Sequence, residues 1–352
     1  MSEYRPGGVD QHAQAPKEDD VLTHDDAERE RVSARLEELY QRHLALDYNE
    51  VSGYYPPNLA ESERDRFGIC LASVGGRVYC AGDHDQPFAL QSISKVFVYG
   101  MVLEDRGRDH VLQRVGVEPS GDPFYSIVFD ERHHRPHNPM VNAGALVTTD
   151  LVEGGDTAEQ LERILETLRR YAGNESLRVD EDVFASEIRS ADRNRAIAYL
   201  MRSSGMISHD VEENLALYLR QCSVGVTCRD LAVMAATLAN GGKNPVTGEW
   251  ALDRRYARDV LSVMYTCGMY DFAGQWAYLI GIPAKSGVSG GILAVVPGKL
   301  GIGVFSPGLD QYGNSVRGIK VCEEISERLG LHVFASAAED ALLGSAEAQE
   351  SA

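Results

Sequence analysis

The chain has 352 residues, and its 34 Lys and Arg residues against 53 Asp and Glu residues give a formal net charge of −19. Apolar residues make up 43% of the sequence, which is typical of a globular protein and excludes a chain that is disordered throughout. The acidic excess repels phosphate backbones, so we expect no nucleic-acid partner.

Residues 1–28 form an acidic, polar N-terminal segment without an apolar period, and we expect them to be disordered. The segment lacks the basic start and apolar core of a signal peptide, and no run of about 20 uncharged apolar residues follows it. We therefore expect a soluble, cytoplasmic protein with no membrane partner. The acid excess of the remaining chain favours solubility, and adaptation to high salt is a second interpretation of it.

Strand patterns occur near both ends of the chain. The runs Phe67–Ser73 and Arg77–Ala81 flank Gly75-Gly76, which is typical of a hairpin. The segments GGILAVVPG and LGIGVFSPG flank a turn around Pro297–Leu300 and predict a second hairpin, with a helix following at Val321–Leu329.

Helical periods dominate the chain between these hairpins. A first apolar helix is predicted from Ser92 to about Asp105. Four more follow, at Ala158–Tyr171, Arg193–Ser204, Val211–Cys222 and Arg229–Asn240. Because strands do not alternate with helices, the sequence predicts an α+β fold in which both chain ends form one antiparallel sheet around an inserted helical region. We expect one folded domain at 29–335, with a helical subdomain at about 110–265, and an Ala-rich tail at 336–352.

The cysteines show no pattern of a disulfide framework or a metal site. None forms a Cys-x-x-Cys pair, and no histidine stands at a metal-ligand spacing from them. Most lie within apolar runs, where a reduced cysteine behaves as a small hydrophobic residue. We therefore expect six buried thiols, no disulfide and no metal. The six are Cys70, Cys80, Cys222, Cys228, Cys267 and Cys322.

One serine and one lysine have the spacing of a nucleophile and its base. The chain has six lysines, and only Lys95 follows a serine, Ser92, by three positions. Residues i and i+3 of a helix lie on one face, so the hydroxyl and the amine can meet. Burial among Val96, Phe97 and Val98 would favour a neutral amine that takes the hydroxyl proton. A helix-capping serine beside a surface lysine is the alternative for this spacing alone.

A second motif strengthens the first. Lys285-Ser286-Gly287 stands before a strand pattern, as the Lys-Ser/Thr-Gly element does in penicillin-recognising enzymes, where it accompanies Ser-x-x-Lys. The backbone N–H groups of Val288 and Ser92 could together form an oxyanion hole. A flexible glycine-rich turn is the alternative for Gly287–Gly291.

Five further polar residues stand in apolar or glycine-rich surroundings, namely Asn142, Glu187, Asn194, Tyr218 and Tyr270. Together they could bind a free amino acid, since a glutamate can accept from an ammonium group while amides and a tyrosine hydroxyl donate to a carboxylate. Taken singly, each could equally be structural, as a helix cap, an ion-pair partner or a core tyrosine. Composition and spacing do not separate these alternatives.

Long motifs in unbroken order from about Leu36 to Leu329 place the chain close to one family. In QSISKVF, PHNPMVNAGAL, SEIRSADRNRAIAYL, TCGMYDFAGQWAY and IPAKSGVSGGI the sequence resembles the glutaminase family with the serine-dependent, β-lactamase-like fold. The resemblance implies hydrolysis of L-glutamine to L-glutamate and ammonia, without a metal or an organic cofactor. It also implies a homotetramer or a homodimer.

The resemblance gives roles to single residues. It implies that Ser92 is the nucleophile, that Lys95 is its base and that Tyr270 assists proton movement. Tyr54 of VSGYYP matches the tyrosine of the family's VAxYIP stretch, which faces the reacting amide. The residues that the resemblance places around the substrate are Ser92, Asn142, Glu187, Asn194, Tyr218, Tyr270 and the backbone of Val288.

The sequence departs from the family pattern in places. Tyr125 of FYSI stands where the family usually has an asparagine, Val128–Asp130 replaces a more polar stretch, and Tyr55 replaces an isoleucine. These changes concern substrate access and subunit contacts rather than the reaction.

Two other functions are compatible with the motifs. A penicillin-hydrolysing or penicillin-binding enzyme shares them but acts outside the cytoplasm, and this chain shows no export signal. A binding protein that senses glutamine without hydrolysing it is the alternative from a different class.

Overall fold

The computed structural model describes residues 18–47, 50–57, 59–121, 125–126, 130 and 135–335. Its α-helices are α1 (Glu18–Leu44), α2 (Glu61–Arg64), α3 (Ser94–Arg106), α4 (Arg108–Arg114), α5 (Asn142–Asp150), α6 (Thr157–Ala172), α7 (Glu181–Arg189), α8 (Asp192–Ser203), α9 (Val211–Cys222), α10 (Cys228–Ala239), α11 (Arg254–Cys267), α12 (Ala273–Leu279) and α13 (Val316–Leu329). Its strands are β1 (Gly68–Ser73), β2 (Val78–Gly82), β3 (Phe88–Ala89), β4 (Gly225–Val226), β5 (Ala284–Ser286), β6 (Gly291–Val296) and β7 (Leu300–Phe305). Within these ranges, none of the helices combines the length and hydrophobicity that a membrane crossing requires.

Both ends of the chain meet in one antiparallel sheet. Its strand order is β2-β1-β7-β6-β5, so the N-terminal and C-terminal hairpins join where β1 pairs with β7 and Ile69 lies opposite Val304. The helices α3 to α12 lie between the two hairpins in the chain. The predicted α+β fold, with an antiparallel sheet from both chain ends and an inserted helical region, is confirmed.

Helices cover both faces of this sheet, because alternate residues of a strand point to opposite sides. Along β6, Leu293 and Val295 join a core that includes residues of α3 and α10. Ile292 and Ala294 join a second core that includes residues of α1, α12 and α13. A third core lies within the helical region, among α5, α8 and α9. The sheet is therefore the middle layer of three.

A small second sheet connects the segment before Ser92 to both parts of the molecule. Strands β3 and β4 pair with Phe88 opposite Val226 of the helical region. The Phe88 ring also stacks on Phe305 of β7, with 4.1 Å between the ring centroids. The start of α3 is thus fixed from the helical region and from the main sheet at once.

Most predicted elements are present with ends displaced by one or two residues, and the prediction Val211–Cys222 coincides with α9. The last helix begins at Val316, five residues early, because the Ser315 side chain caps it by accepting from a backbone N–H. Helix α1 begins at Glu18, so residues 18–28 of the predicted disordered tail are helical. Residues 1–17 and 336–352, the rest of both predicted tails, lie outside the described residues.

The expectation of six free thiols is wrong for one pair. Cys70 and Cys80 form a disulfide, because β1 and β2 pair in a register that sets them directly opposite one another with their Cα atoms 4.2 Å apart. Cysteine spacing does not reveal this register. The other four cysteines are free and buried, as expected.

Helix α10 packs so closely on β7 that the strand requires glycine. A Cβ atom at Gly301 would lie 2.2 Å from the backbone nitrogen of Ala236, and one at Gly303 would lie 2.5 Å from the carbonyl oxygen of Cys228. Backbone atoms cannot turn aside as a flexible side chain can. These two glycines therefore set the distance between the sheet and the helix.

We expect Gly301→Ala to lower the free energy of unfolding by about 1–3 kcal/mol, because α10 must move away from the sheet. Gly274→Ala is the matched control, since it adds the same methyl group to α12 where nothing lies within 4 Å. Urea unfolding followed by circular dichroism compares the two variants. Equal midpoints for the two variants would contradict the close packing of α10.

Candidate active site

A serine hydroxyl and a lysine amine lie within hydrogen-bond distance at the start of α3. Ser92 belongs to a 3-10 helix, Gln91–Ile93, which leads directly into α3, and Lys95 follows one turn later. The Lys95 Nζ atom lies 3.0 Å from Ser92 Oγ. Ser92 is 7% exposed and Lys95 is 2% exposed, so the pair lies almost outside bulk water. The structure thus brings together the two residues that the sequence spacing singled out.

Burial determines the charge of Lys95. The side chain lies among buried residues that include Val96 and Phe97, and its Nζ also donates to Asn142 Oδ1 at 2.7 Å. Desolvation disfavours the ammonium and lowers the pKa of Lys95 to about 8, although the nearby Cys222 thiol opposes this shift. Near pH 8 a large fraction of the amine is therefore neutral, with a lone pair that can take the Ser92 proton.

Three predicted substrate-binding residues from three helices form a hydrogen-bonded group next to Lys95. Asn142 at the start of α5 accepts from the Tyr218 hydroxyl of α9 at 3.3 Å, through the same Oδ1 that faces Lys95. Its Nδ2 donates to Asn194 Oδ1, near the start of α8, at 2.9 Å. Burial raises the pKa of Tyr218, so its hydroxyl stays protonated and can donate.

Tyr270 connects Ser92 to strand β5. Its hydroxyl donates to the Ser286 carbonyl oxygen at 3.0 Å and is also hydrogen-bonded to the Ser92 side chain. Burial raises the pKa of Tyr270, and the bond to Ser92 opposes this effect. A protonated tyrosine hydroxyl therefore lies against the serine, where it can pass a proton.

Backbone strain is concentrated beside Ser92. Among the described residues, Gln91 and Tyr270 are the two residues other than glycine with positive φ, at 50° and 54°. This left-handed conformation is unfavourable for side chains of their size and persists where surrounding contacts enforce it. Gln91 precedes Ser92 and Tyr270 bonds to it, so both strained residues help to fix the serine.

Two backbone N–H groups are available near Ser92. Those of Ser92 itself and of Val288 donate to no backbone carbonyl within the described ranges. Val288 lies in the turn after β5, and the preceding Gly287 packs close to Leu90 and Ile93, on either side of Ser92. This pair of donors fits the predicted oxyanion hole.

Lys285 of the second motif is a further buried amine. It lies on β5, at the edge of the main sheet, and its Nζ donates to the Ser286 carbonyl oxygen at 2.7 Å. The same atom lies 4.0 Å from the centroid of the Tyr270 ring. Burial lowers the pKa of Lys285, and the nearby Lys95 lowers it further. Lys285 and Tyr270 therefore hold the Ser286 carbonyl together, just before Val288.

Glu187 on α7 faces two residues that the sequence analysis did not place there. The Tyr55 hydroxyl donates to its Oε1, and Gln91 Nε2 donates to the same oxygen at 3.3 Å. The sequence could have indicated that Gln91 lies in the site, since it directly precedes the predicted nucleophile. The sequence analysis noted Tyr55 as a replacement of the family's isoleucine, but nothing in the sequence indicates which of the two adjacent tyrosines turns inward.

The structure also shows the contacts of two further tyrosines that the sequence analysis named. Tyr54 stacks under the guanidinium of Arg64, 4.7 Å from the ring centroid, and its expected position facing the reacting amide stays a prediction. Tyr125 is 40% exposed and lies 4.3 Å from the guanidinium of Arg193. Its neighbours Phe124 and Ile127, and most of the segment 128–130, lie outside the described residues.

Two cavities reach residues of the site. One of about 310 Å³ is lined by Met140, Val141, Cys267 and Tyr270, among others. The second, of about 260 Å³, is lined by residues that include Tyr55, Gln91, Glu187 and Ser289. The proton-transfer side and the Glu187 side of the site are thus both adjacent to open space.

One cluster within the described residues brings three potential metal-ligand atoms close together. The ligand atoms of Cys70, Cys80 and His84 lie within 4.8 Å of one another. The sequence analysis expected no histidine at a metal-ligand spacing, but the hairpin brings His84 close. Both sulfur atoms belong to the disulfide, so they are not thiolate ligands in this state.

Comparisons with known proteins agree on one family. A family model described as glutaminase matches residues 51–334. The glutaminase of Trichormus variabilis is 58% identical over 299 residues, which cover 85% of this chain and 89% of that protein. The glutaminase of Clostridium tetani is 48% identical over 287 residues, which cover 81% of this chain and 94% of that protein.

Solved structures show the same fold. The crystal structure of Mglu in its glutamate form is 45% identical, with a TM-score of 0.80, and the match covers 86% of this chain and 70% of that one. The probable glutaminase of Bacillus subtilis is 34% identical, with a TM-score of 0.79, and the match covers 86% of this chain and 98% of that one. The β-lactamase-like α+β fold that the resemblance implied is confirmed.

We expect the Lys95 amine to titrate near pH 8, because its burial disfavours the ammonium. Carbon-13 labelling at lysine Cε gives six NMR signals at most, and the Lys95 signal is assigned by its loss in Lys95→Met. Lys320→Met, at an exposed ion pair, is the matched control for the assignment. A Lys95 signal that titrates at the ordinary value of about 10.4 would contradict the account.

Proposed function

This chain belongs to the glutaminase family, whose members are hydrolases that act on glutamine, and we propose that it hydrolyses L-glutamine through an acyl-enzyme on Ser92 with Lys95 as the base. The observation that carries this mechanism is the 3.0 Å contact between the Ser92 hydroxyl and a buried amine. An exposed lysine could not serve, because at neutral pH it would be an ammonium without a lone pair.

In the first step the neutral Lys95 amine takes the Ser92 proton while Oγ attacks the carbon of the glutamine side-chain amide. A C–O bond forms, and the amide oxygen becomes an oxyanion. The N–H groups of Ser92 and Val288 donate to this oxygen, which stabilises the developing charge in a nearly dry site. Lys285 and Tyr270 support this step by holding the Ser286 carbonyl, two residues before Val288.

In the second step the C–N bond of the intermediate breaks. The leaving nitrogen receives the proton held by Lys95, directly or through the Tyr270 hydroxyl, and departs as ammonia. Water then attacks the glutamyl ester, Lys95 takes a proton from this water, and that proton returns to Ser92 as glutamate leaves. The sum is glutamine and water converted to glutamate and ammonia.

The substrate's α-ammonium and α-carboxylate, which are attached to the same carbon atom, are bound by different side chains. Glu187 accepts from the α-ammonium, while Asn142, Asn194 and Tyr218 supply neutral donors for the α-carboxylate. The carboxylate of Glu187 and the hydrogen bonds that join Asn194 and Tyr218 to Asn142, next to Lys95, support this division. The relative Mglu has been crystallised in a glutamate form, which is consistent with an amino-acid ligand at such a site.

We propose further that the chain forms a homotetramer or a homodimer in the cytoplasm, as its family resemblance implies. Tyr278 is 83% exposed and Phe334 is 78% exposed, and side chains of this kind are suited to contacts between subunits. Light scattering after size-exclusion chromatography measures the oligomeric state.

Purified protein should release ammonia from L-glutamine, and Ser92→Ala should release essentially none, because the variant lacks the attacking oxygen. Nitrocefin turnover, measured alongside, tests the penicillin-hydrolysing alternative. Ammonia release by both proteins, in preparations free of host glutaminase, would refute the covalent mechanism. Binding of glutamine without release by the unmodified protein would instead identify a sensor.

Glu187→Gln should raise the KM for L-glutamine about tenfold or more with a smaller change in kcat, because a charged partner of the α-ammonium is lost. Glutaramate, which is glutamine without its α-ammonium group, is the matched control substrate, and its KM should rise much less. Steady-state ammonia release gives both constants. A KM for glutamine that stays at the value of the unmodified protein would refute this role of Glu187.

A further inference from the structure

Tyr55 is joined to the carboxylate that the proposed function assigns to the α-ammonium. Its hydroxyl donates to Glu187 Oε1, and Gln91 Nε2 donates to the same atom at 3.3 Å. No donor of the described residues bonds the second oxygen, Oε2, which leaves that oxygen to a ligand. Tyr55, Gln91 and Glu187 all line the cavity of about 260 Å³.

We propose that Tyr55 is a substrate-binding residue that completes the ammonium subsite: its hydroxyl donates to Glu187 and accepts from the α-ammonium of glutamine. This inference rests on the proposed role of Glu187. An ammonium carries three donors and needs more acceptors than one carboxylate oxygen supplies. A tyrosine hydroxyl can donate one hydrogen bond while its oxygen accepts another, so Tyr55 can bond Glu187 and the substrate together.

The chemistry of the Tyr55 hydroxyl suits this double role. Burial raises the pKa of Tyr55, and its hydrogen bond to Glu187 raises it further, so the group remains a neutral hydroxyl at every working pH. A phenolate would repel the carboxylate, whereas the neutral hydroxyl donates to it. The oxygen of the hydroxyl therefore keeps lone pairs with which it can accept from a cation beside Glu187.

The position of Tyr55 does not depend on its bond to Glu187. The backbone of the same segment is joined to the segment that follows β7, where Ser52 N–H donates to the Leu309 carbonyl at 2.7 Å and Leu309 N–H donates to the Gly53 carbonyl at 2.9 Å. Removal of the hydroxyl alone should therefore leave the segment in place. Tyr55 stands where the family usually has an isoleucine, which cannot form this bond, so the extra acceptor distinguishes this chain.

The test compares Tyr55→Phe and Tyr54→Phe, which remove the same hydroxyl from adjacent residues. Ammonia release gives kcat and KM for L-glutamine and for glutaramate. We expect Tyr55→Phe to raise the KM for glutamine about tenfold while kcat changes less than about twofold and kcat/KM for glutaramate is unchanged. The loss of preference for the α-ammonium should be confined to Tyr55→Phe, because the Tyr54 hydroxyl is expected to face the reacting amide, which glutamine and glutaramate share, so its removal should affect both substrates alike.

Three results would overturn the inference. If Tyr55→Phe lowers kcat/KM equally for both substrates, Tyr55 only supports the structure. If it changes kcat/KM for neither substrate, its hydroxyl does not touch the substrate. If Tyr54→Phe alone lowers kcat/KM for glutamine but not for glutaramate, the subsite belongs to the other tyrosine. The proposed function is tested separately by the unmodified protein and Glu187→Gln. If Glu187→Gln keeps the full preference for glutamine over glutaramate, the ammonium subsite lies elsewhere, and this conclusion does not depend on the result for Tyr55→Phe.

Discussion

The burial of the Lys95 amine is the constraint on which the chemistry of this site depends. A solvated lysine is an ammonium at neutral pH and cannot take a proton from a serine. Here the hydrogen-bond partners Ser92 and Asn142 are both neutral, so neither stabilises the ammonium as a carboxylate would. Burial brings the pKa of Lys95 to about 8, close to the range in which a general base is most effective.

The fold supplies this environment by joining parts of the chain that are distant in sequence. Ser92 follows the N-terminal hairpin, Val288 follows the C-terminal strand β5, and Asn142, Glu187 and Tyr218 come from the helical region between them. The main sheet pairs the two chain ends through β1 and β7. The oxyanion hole, which joins Ser92 to Val288, therefore exists only when the sheet is formed, and the substrate contacts only when the helical region packs on it.

The sequence predicted what depends on local spacing. The spacing of three positions from Ser92 to Lys95 predicts that both residues lie on one helix face, and the helical periods of α6, α8, α9 and α10 are clear in the sequence. Asn142 and Glu187 were found through the family resemblance, because alone they fit structural roles equally well. The disulfide between Cys70 and Cys80 was not predicted, because their contact depends on strand register. The contact of Tyr55 with Glu187 was not predicted either, because the tertiary fold decides which of the two adjacent tyrosines turns inward.

The most direct test of the central claim is to trap the acyl-enzyme. Protein mixed with L-glutamine is quenched in acid at short times over a range of pH, and peptide mass spectrometry locates any adduct. The account predicts a glutamyl group on Ser92 that forms faster as the pH rises through about 8, where Lys95 loses its proton. Turnover with no adduct on Ser92 at any time, or an adduct on another residue, would contradict it.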